Sequence, residues 1–260
     1  MSAIDLSRDG QIATVTLNRA GRRNAITGQM MRDIEAISRE FIGDERTRAV
    51  IFRAEGGDFS VGADLAEPGG GEPASILMRR RAAEFGAQLM RSMLEIPQVT
   101  ICAVQGIATG AGACITSACD FRIGASDARV GYAEVKRGIN LMWNAVPLCV
   151  RLVGPARAKQ MIMTGRLVDA ETLERWGFFD QVVRRTELDS AARTMAEVYA
   201  ALPPNPVQMI KKSINEISGA LDRAIMHMDA DQWLLTSITD DHAEGVASFF
   251  EKRQPIFTGN

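Results

Sequence analysis

The stretch 98–120, QVTICAVQGIATGAGACITSACD, restricts the fold more than any other part of the chain. Residues 99–104 are an apolar run of strand length, 106–112 are rich in glycine, and small and apolar residues follow from Ala111 in a helical pattern. A strand that feeds a glycine turn at a helix start gathers free backbone N–H groups at the positive end of the helix. Such a place holds an anion or an oxyanion with main chain alone. Two better-known glycine motifs are excluded by spacing. A phosphate loop needs Lys-Ser/Thr after its last glycine, whereas Gly112 precedes Ala113 and Cys114, and the intervals of Gly106, Gly110 and Gly112 do not make a dinucleotide turn.

The same strand–turn unit occurs earlier, in AVIFRAEGGDFSVGADL at 49–65. Two such turns can aim two N–H groups at one carbonyl oxygen, which is what acyl chemistry needs when that oxygen gains negative charge. FSVGADL followed by VQGIATGAGACITSACD resembles the crotonase (enoyl-CoA hydratase/isomerase) superfamily. So do RRNAIT near the start, LVGPARAKQMIMTGRLVDAETLERWGFFDQVV in the middle and EGVASFFEKRQPIF at the end. The similarity spans essentially the whole chain. It implies an α/β fold: a crotonase-like ββα spiral core at 1–200 with the acyl-CoA site, and a C-terminal helical oligomerisation region at 201–260, as trimers or paired trimers.

Composition narrows the partners. A chain of 260 residues can bury a sizeable core, and a net charge of −2 gives no general attraction to nucleic acid or anionic membrane. Any anionic ligand must therefore meet a local basic cluster, of which Arg19, Arg22 and Arg23 are the first. No early apolar run follows basic residues and none reaches membrane-spanning length. Four cysteines without C-x-x-C spacing and only two histidines argue against a metal site and for a reduced, cytoplasmic setting.

In order, residues 3–8 and 11–18 around Asp9-Gly10 read as a hairpin. Thr27 reads as the N-cap of a helix over 28–42 with Met31, Ile34, Ile37 and Phe41 on one face. Residues 67–73, EPGGGEP, cannot form regular structure and read as a mobile passive loop or a lid. A helix over 74–95 carries Arg79-Arg80-Arg81, a solvated face or a partner for an acidic acyl group. Residues 121–123 continue as a strand, and 129–135 lead to a turn at Gly138. Helices follow at 143–153, 155–164 and 169–176, then a last strand at 181–184. From about 187 the pattern is helical, broken at 203–206.

The resemblance assigns the two oxyanion donors to the backbone N–H groups of Ala63 and Ala111. It places Arg23, Ala25, Val61, Ala63, Asp64 and Leu65 along the coenzyme A part of a thioester substrate, with the Val61 carbonyl facing the adenine amine. Phe249 and Lys252 match positions that reach a neighbouring subunit's coenzyme A. No separate cofactor is implied.

The acid/base positions depart from the family pattern. Hydratases carry two glutamates; here the first position is Cys114 and the second Glu134. A thiol does not orient water as a carboxylate does, but Glu134 alone can move a proton next to a thioester carbonyl and return it elsewhere. The usual glycines after the second glutamate are replaced by GINLMWN at 138–144, so Met142 and Trp143 bring bulk and suggest a drier, shorter pocket. Asn140 and Asn144 are candidates for a hydrogen bond to the acyl group or for helix caps. Cys114 reads as small, buried and inert, with no histidine nearby in sequence to activate it as a nucleophile. The leading expectation is single-glutamate, isomerase-like proton transfer. Hydration, thioester hydrolysis, decarboxylation and silent acyl-CoA binding are the rivals.

Overall fold

The computed structural model describes residues 2–66 and 75–260. The 67–73 loop anticipated above lies outside the described residues.

Among the described residues nine strands form two sheets. Strands β1 (Ile4–Asp9), β2 (Ile12–Leu17), β3 (Ala49–Ala54), β4 (Val99–Val104), β6 (Phe121–Ala125) and β9 (Gln181–Val183) form the larger, in that spatial order. The β1–β2 hairpin is antiparallel with Ile4 opposite Leu17, and every other pairing in this sheet is parallel. Alternation splits β4 between two cores. Cys102 and Val104 face the main core, whereas Val99, Ile101 and Ala103 face helix α7 (Leu188–Ala200) through its Leu188, Ala192 and Ala196. With apolar material on both sides, the strand reads as an unbroken apolar run.

The smaller sheet, β5 (Ile107–Thr109), β7 (Arg129–Gly131) and β8 (Val168–Asp169), was not legible as strands. β5 lies inside the presumed glycine turn: the chain leaves β4, steps at Gly106, and lays three residues across the end of the larger sheet. Ser60 joins this layer through a parallel bridge to Ala108. The strand–short strand–helix unit is thus the ββα element, with the short strands as a second layer.

Helix α1 (Gly28–Glu40) is capped by the Thr27 hydroxyl, which accepts from the Met30 N–H at 3.2 Å. Its most buried positions are Met30, Ile34 and Ser38, with Met31 and Ile37 only partly covered. The inward face is therefore rotated from the expected one. Ser38 is accommodated because its hydroxyl donates to the Ile34 carbonyl at 2.7 Å. Helix α2 (Ile76–Leu94) packs on α1, and α3 (Ala111–Ala118) is buried along its length. Next come α4 (Ala145–Val153), α5 (Pro155–Thr164) and α6 (Ala170–Trp176), the last capped by Asp169 and stopped at Gly177. α4 starts two residues later than expected because Trp143 and Asn144 adopt left-handed backbone, φ 68° and 56°.

After α7 come α8 (Pro204–Gly219), α9 (Asp222–Met226), α10 (Asp229–Ser237) and α11 (Asp240–Glu251). The proline cluster starts α8, since proline is tolerated in a first helical turn. α8 buries none of its residues, whereas α10 packs on α2 and α11 on the 3₁₀ turn Glu134–Arg137 of the same chain. Among the described residues no helix is long and apolar enough to cross a membrane.

Candidate active site

Three parallel segments of the second layer deliver the site. Ser60 N–H donates to the Ile107 carbonyl at 2.9 Å and Thr109 N–H to the Ser60 carbonyl at 3.0 Å, and β5 runs parallel to β7. Continuing in the same direction, these segments reach Ala63, Ala111 and Glu134. The turn 106–112 and the turn 56–64, remote in sequence, are neighbours because their segments share a ladder.

Each turn presents an N–H. Ile26 forms a parallel bridge with Ala63: Ile26 N–H donates to Gly62 O at 2.8 Å and Asp64 N–H donates to Ile26 O at 2.9 Å. A parallel bridge uses the partner's neighbours, so the N–H of Ala63 itself points the other way, toward the cavity that Ala63 lines. Ala111 opens α3, where N–H groups have no partner within the helix. Gly110, at φ 53°, makes the turn possible, and a Cβ there would meet Glu134 Oε1 at 3.1 Å and Gly62 Cα at 3.7 Å. The glycine brings the two turns and the glutamate into contact.

Glu134 begins the 3₁₀ turn. Its carboxylate faces a cavity of about 230 Å³, lined by Ala63, Leu65, Ala111, Cys114, Met142 and Trp143 among others. Burial pushes its pKa up to about 6, against a smaller downward pull from Arg137. Oε2 is buried without a hydrogen-bond partner. Cys114 shares the cavity, and burial followed by the nearby Glu134 charge pushes its thiol well above the ordinary range, against a nucleophilic role.

The cavity wall owes its shape to a C-terminal helix. The Asp229 carboxylate at the start of α10 accepts from Asn144 N–H at 2.9 Å and holds the left-handed pair in place. Burial raises Asp229 to about 6 despite hydrogen bonds from the Asn144 and Trp143 N–H groups. The Trp143 indole lies against Gly86 of α2, where a Cβ would stand 1.9 Å from Nε1. Asn140 Nδ2 donates to Gln232 Oε1 at 2.8 Å, tying its side chain to α10. Neither asparagine side chain caps α4. Trp233 of α10 completes the wall.

A groove of about 730 Å³ continues outward from this cavity and shares Val61, Ala63, Leu65, Thr109 and Arg137 with it. Arg22, Arg23 and Ala25 line it, as do Lys136 and Arg253. Asp64 also lines it, but its carboxylate is engaged with Arg19 at 2.7 Å and Arg22 at 3.8 Å. Burial alone would raise Asp64; the Arg19 hydrogen bond holds it below the ordinary carboxylate range. Its visible task is to tie the 19–25 loop to the 61–66 turn. Arg23 pairs with Asp58 at 2.7 Å in the same manner.

Phe249 lines the groove of its own chain, with the Arg137 guanidinium 4.7 Å from its ring centroid. Lys252 takes the left-handed C-cap of α11, and among the described residues lining the groove Arg253 stands in that part of the chain. Arg79 and Arg80 are engaged with α10, donating to Ser237 and Asp231, and are not among the described residues lining the acyl cavity. Among the described residues no group of three or more histidine, cysteine or acidic side chains is placed to hold a metal ion.

Sequence reasoning missed Arg137, Gly86, Asp229 and Trp233. Arg137 carried a signal, since it follows Glu134 by three residues and such residues share a face of a 3₁₀ turn. The other three are brought in by tertiary packing.

A family model described as enoyl-CoA hydratase/isomerase matches residues 7–260. The chain is 30% identical over 256 residues to a crotonyl-CoA hydratase of Syntrophomonas wolfei, spanning 98% of this chain and 97% of that one. It is 30% identical over 252 residues to the 1,2-epoxyphenylacetyl-CoA isomerase of Escherichia coli, spanning 95% of both. The crystal structure of an enoyl-CoA hydratase from Bacillus anthracis superposes with a TM-score of 0.78 at 30% identity, over 100% of both chains. The paired turns, the second-layer ladder and these likenesses agree: the chain belongs to the enoyl-CoA hydratase/isomerase family of the crotonase superfamily.

Proposed function

We propose that this protein is an acyl-CoA enzyme that forms an enolate and moves a proton with Glu134 alone, shifting a double bond rather than adding water. The observation that carries this reading is the pairing of an unpartnered, buried Glu134 Oε2 with Cys114 where a second carboxylate would stand. The basic groove supports a coenzyme A thioester: Lys136 has no ion pair among the described residues, and Arg22, Arg23 and Arg253 add positive charge to the lining although each already faces a carboxylate.

In this reading the thioester oxygen takes hydrogen bonds from the N–H groups of Ala63 and Ala111, strengthened by the positive end of α3. Glu134 removes the proton from the carbon next to the carbonyl, and the electron pair moves onto the oxygen as an enolate. For a 3-enoyl thioester, the protonated Glu134 returns its proton to the fourth carbon, the enolate collapses, and the double bond ends beside the carbonyl. Nothing is gained or lost. A carboxyl near pKa 6 suits both halves, being largely ionised at neutral pH yet able to give its proton back. Ile139, Met142, Trp143 and Trp233 shield the enolate from water.

The relatives include both a hydratase and an isomerase by name, so the discriminating experiment is direct. A 3-enoyl-CoA and a 2-enoyl-CoA are each incubated with enzyme in ¹⁸O-water and followed by mass spectrometry. Isomerisation without incorporated oxygen supports the reading, and an ¹⁸O-labelled hydroxyacyl product formed as the main product overturns it.

We also read α8 as the contact face of a homotrimer. Ile210, Ile214 and Ile217 of this helix, with Leu221 just beyond its end, are each more than half exposed. Light scattering at three times the chain mass is the expected result; a monomer contradicts it.

A further inference from the structure

We infer that the acyl site is built for a short acyl group bearing a carboxylate, with Arg137 as its recognition residue. The inference deepens the enolate reading and rests on it.

Arg137 lines both the acyl cavity and the coenzyme A groove, at their junction. The described residues lining the acyl cavity include two charged side chains, Glu134 and Arg137. Every other described acidic side chain near an arginine in this region is already engaged: Asp64 with Arg19 and Arg22, Asp58 with Arg23, Glu244 and Glu251 with Arg253. Among the described residues no carboxylate lies within 4 Å of the Arg137 guanidinium. Its Nη1 makes one long hydrogen bond, 3.4 Å, to the Ala133 carbonyl, and its Nε is buried without a partner. Burial lowers its pKa, against the pull of Glu134.

The main chain of Arg137 is fixed independently of the side chain. Its carbonyl accepts from His242 Nδ1 at 2.7 Å, and α11 packs so tightly that a Cβ at Gly245 would lie 2.6 Å from the Arg137 carbonyl carbon. Phe249 flanks the guanidinium. An arginine held in this way, with unused donors beside an otherwise largely apolar cavity, lacks an acceptor. Nε is already covered by the protein, so the donors open to a ligand are those of the Nη groups, which a hydrocarbon acyl group would cover and leave unsatisfied. A carboxylate would satisfy two of them in a bidentate pair and offset the added negative charge beside Glu134. The cavity, at about 230 Å³, lies below the usual ligand-pocket range of about 300–1,000 Å³, so the acyl group is short.

The test compares a five-carbon enoyl-CoA ending in a carboxylate with its methyl-terminated counterpart. Wild type, Arg137→Met and Arg137→Lys are assayed for kcat/KM on both, and for affinity toward free coenzyme A by calorimetry, with circular dichroism and melting to check folding. Wild type is expected to prefer the carboxylate. The ratio of the two kcat/KM values should fall by at least about 30-fold in Arg137→Met and recover in part in Arg137→Lys. Wild-type preference for the methyl-terminated thioester overturns the inference. So does an unchanged ratio with weakened binding of free coenzyme A, which would assign Arg137 to a phosphate. So does an equal loss on both substrates with a displaced pH profile, which would make Arg137 a residue that only tunes Glu134. Turnover of the methyl-terminated thioester that is lost on Glu134→Gln leaves the enolate reading intact even where the carboxylate preference fails.

Discussion

Gly86→Ala isolates the packing that shapes the acyl wall. An added Cβ would stand 1.9, 2.0 and 2.3 Å from Nε1, Cδ1 and Cε2 of Trp143. Contacts between such atoms settle near 3.5–4.0 Å, so the indole must withdraw by about 1.5 Å or more. It has little freedom to do so, because its backbone is left-handed and Asp229 holds the next N–H. Two opposing terms result. Replacing a mid-helix glycine by alanine favours α2 by about 1 kcal/mol. Overpacking costs about 1–3 kcal/mol, so the net change in wild type is a loss of up to about 2 kcal/mol. In a Trp143→Ala background the clash is gone and only the helix term remains, a gain of about 1 kcal/mol. Denaturant titration of the four proteins in this cycle should therefore give a coupling energy of about 2 kcal/mol, within the range for touching residues. If Gly86→Ala has the same effect in both backgrounds, Trp143 does not pack as described and the account of the wall is wrong.

Other substitutions probe the remaining parts. Glu134 has a folded pKa near 6, raised by burial above its ordinary value near 4.5. Its ionisation therefore weakens the fold: the protonated group's contribution is complete below about pH 4.5 and is lost as pH rises toward 6. Glu134→Gln should accordingly raise stability at pH 8 by about 2 kcal/mol and change it little at pH 4.5, as read by denaturant midpoints. In wild type the acid limb of kcat/KM should rise through about pH 6, reporting the ionised base in the free enzyme. Asp229→Ala removes the acceptor of the Asn144 N–H and should impair acyl-CoA binding more than binding of free coenzyme A; in stability, loss of the hydrogen bond is opposed by relief of a buried charge. Arg122, almost fully buried, donates to the carbonyls of Cys119, Asp120 and Phe178, so Arg122→Leu should cost about 3–5 kcal/mol in a melt.

What the sequence disclosed, and what it hid, follows from how local each signal is. The β1–β2 hairpin, the Thr27 and Asp169 caps and the strand at 99–104 each rest on residues a few positions apart. Both glycine turns were visible for the same reason, although the ladder that brings them together was not. Three-residue strands such as β5 and β7 are too short to show an alternating pattern, so β5 reads as part of a glycine turn and β7 only as a lead into the turn at Gly138. Ser38 concealed the true inward face of α1, since a hydroxyl satisfied by its own helix passes as core. Trp143 and Asn144 read as the start of a helix because nothing local announces a left-handed pair stabilised by Asp229, 85 residues further on. Nothing local to Phe249 announces that α11 packs against the 3₁₀ turn of its own chain, which is a tertiary fact. Asp64 matched a family position by its motif, but its pairing with Arg19 and Arg22 appears only in the folded chain.

The central claim is that Glu134 moves a proton beside a thioester carbonyl held by the Ala63 and Ala111 N–H groups. Its most direct test is deuterium uptake from heavy water into short acyl-CoA thioesters, wild type against Glu134→Gln, followed by mass spectrometry. The account predicts deuterium at the carbon next to the carbonyl in wild type and its loss in a folded variant. Exchange at an undiminished rate in Glu134→Gln, or tight binding by wild type without exchange on any thioester, would contradict it.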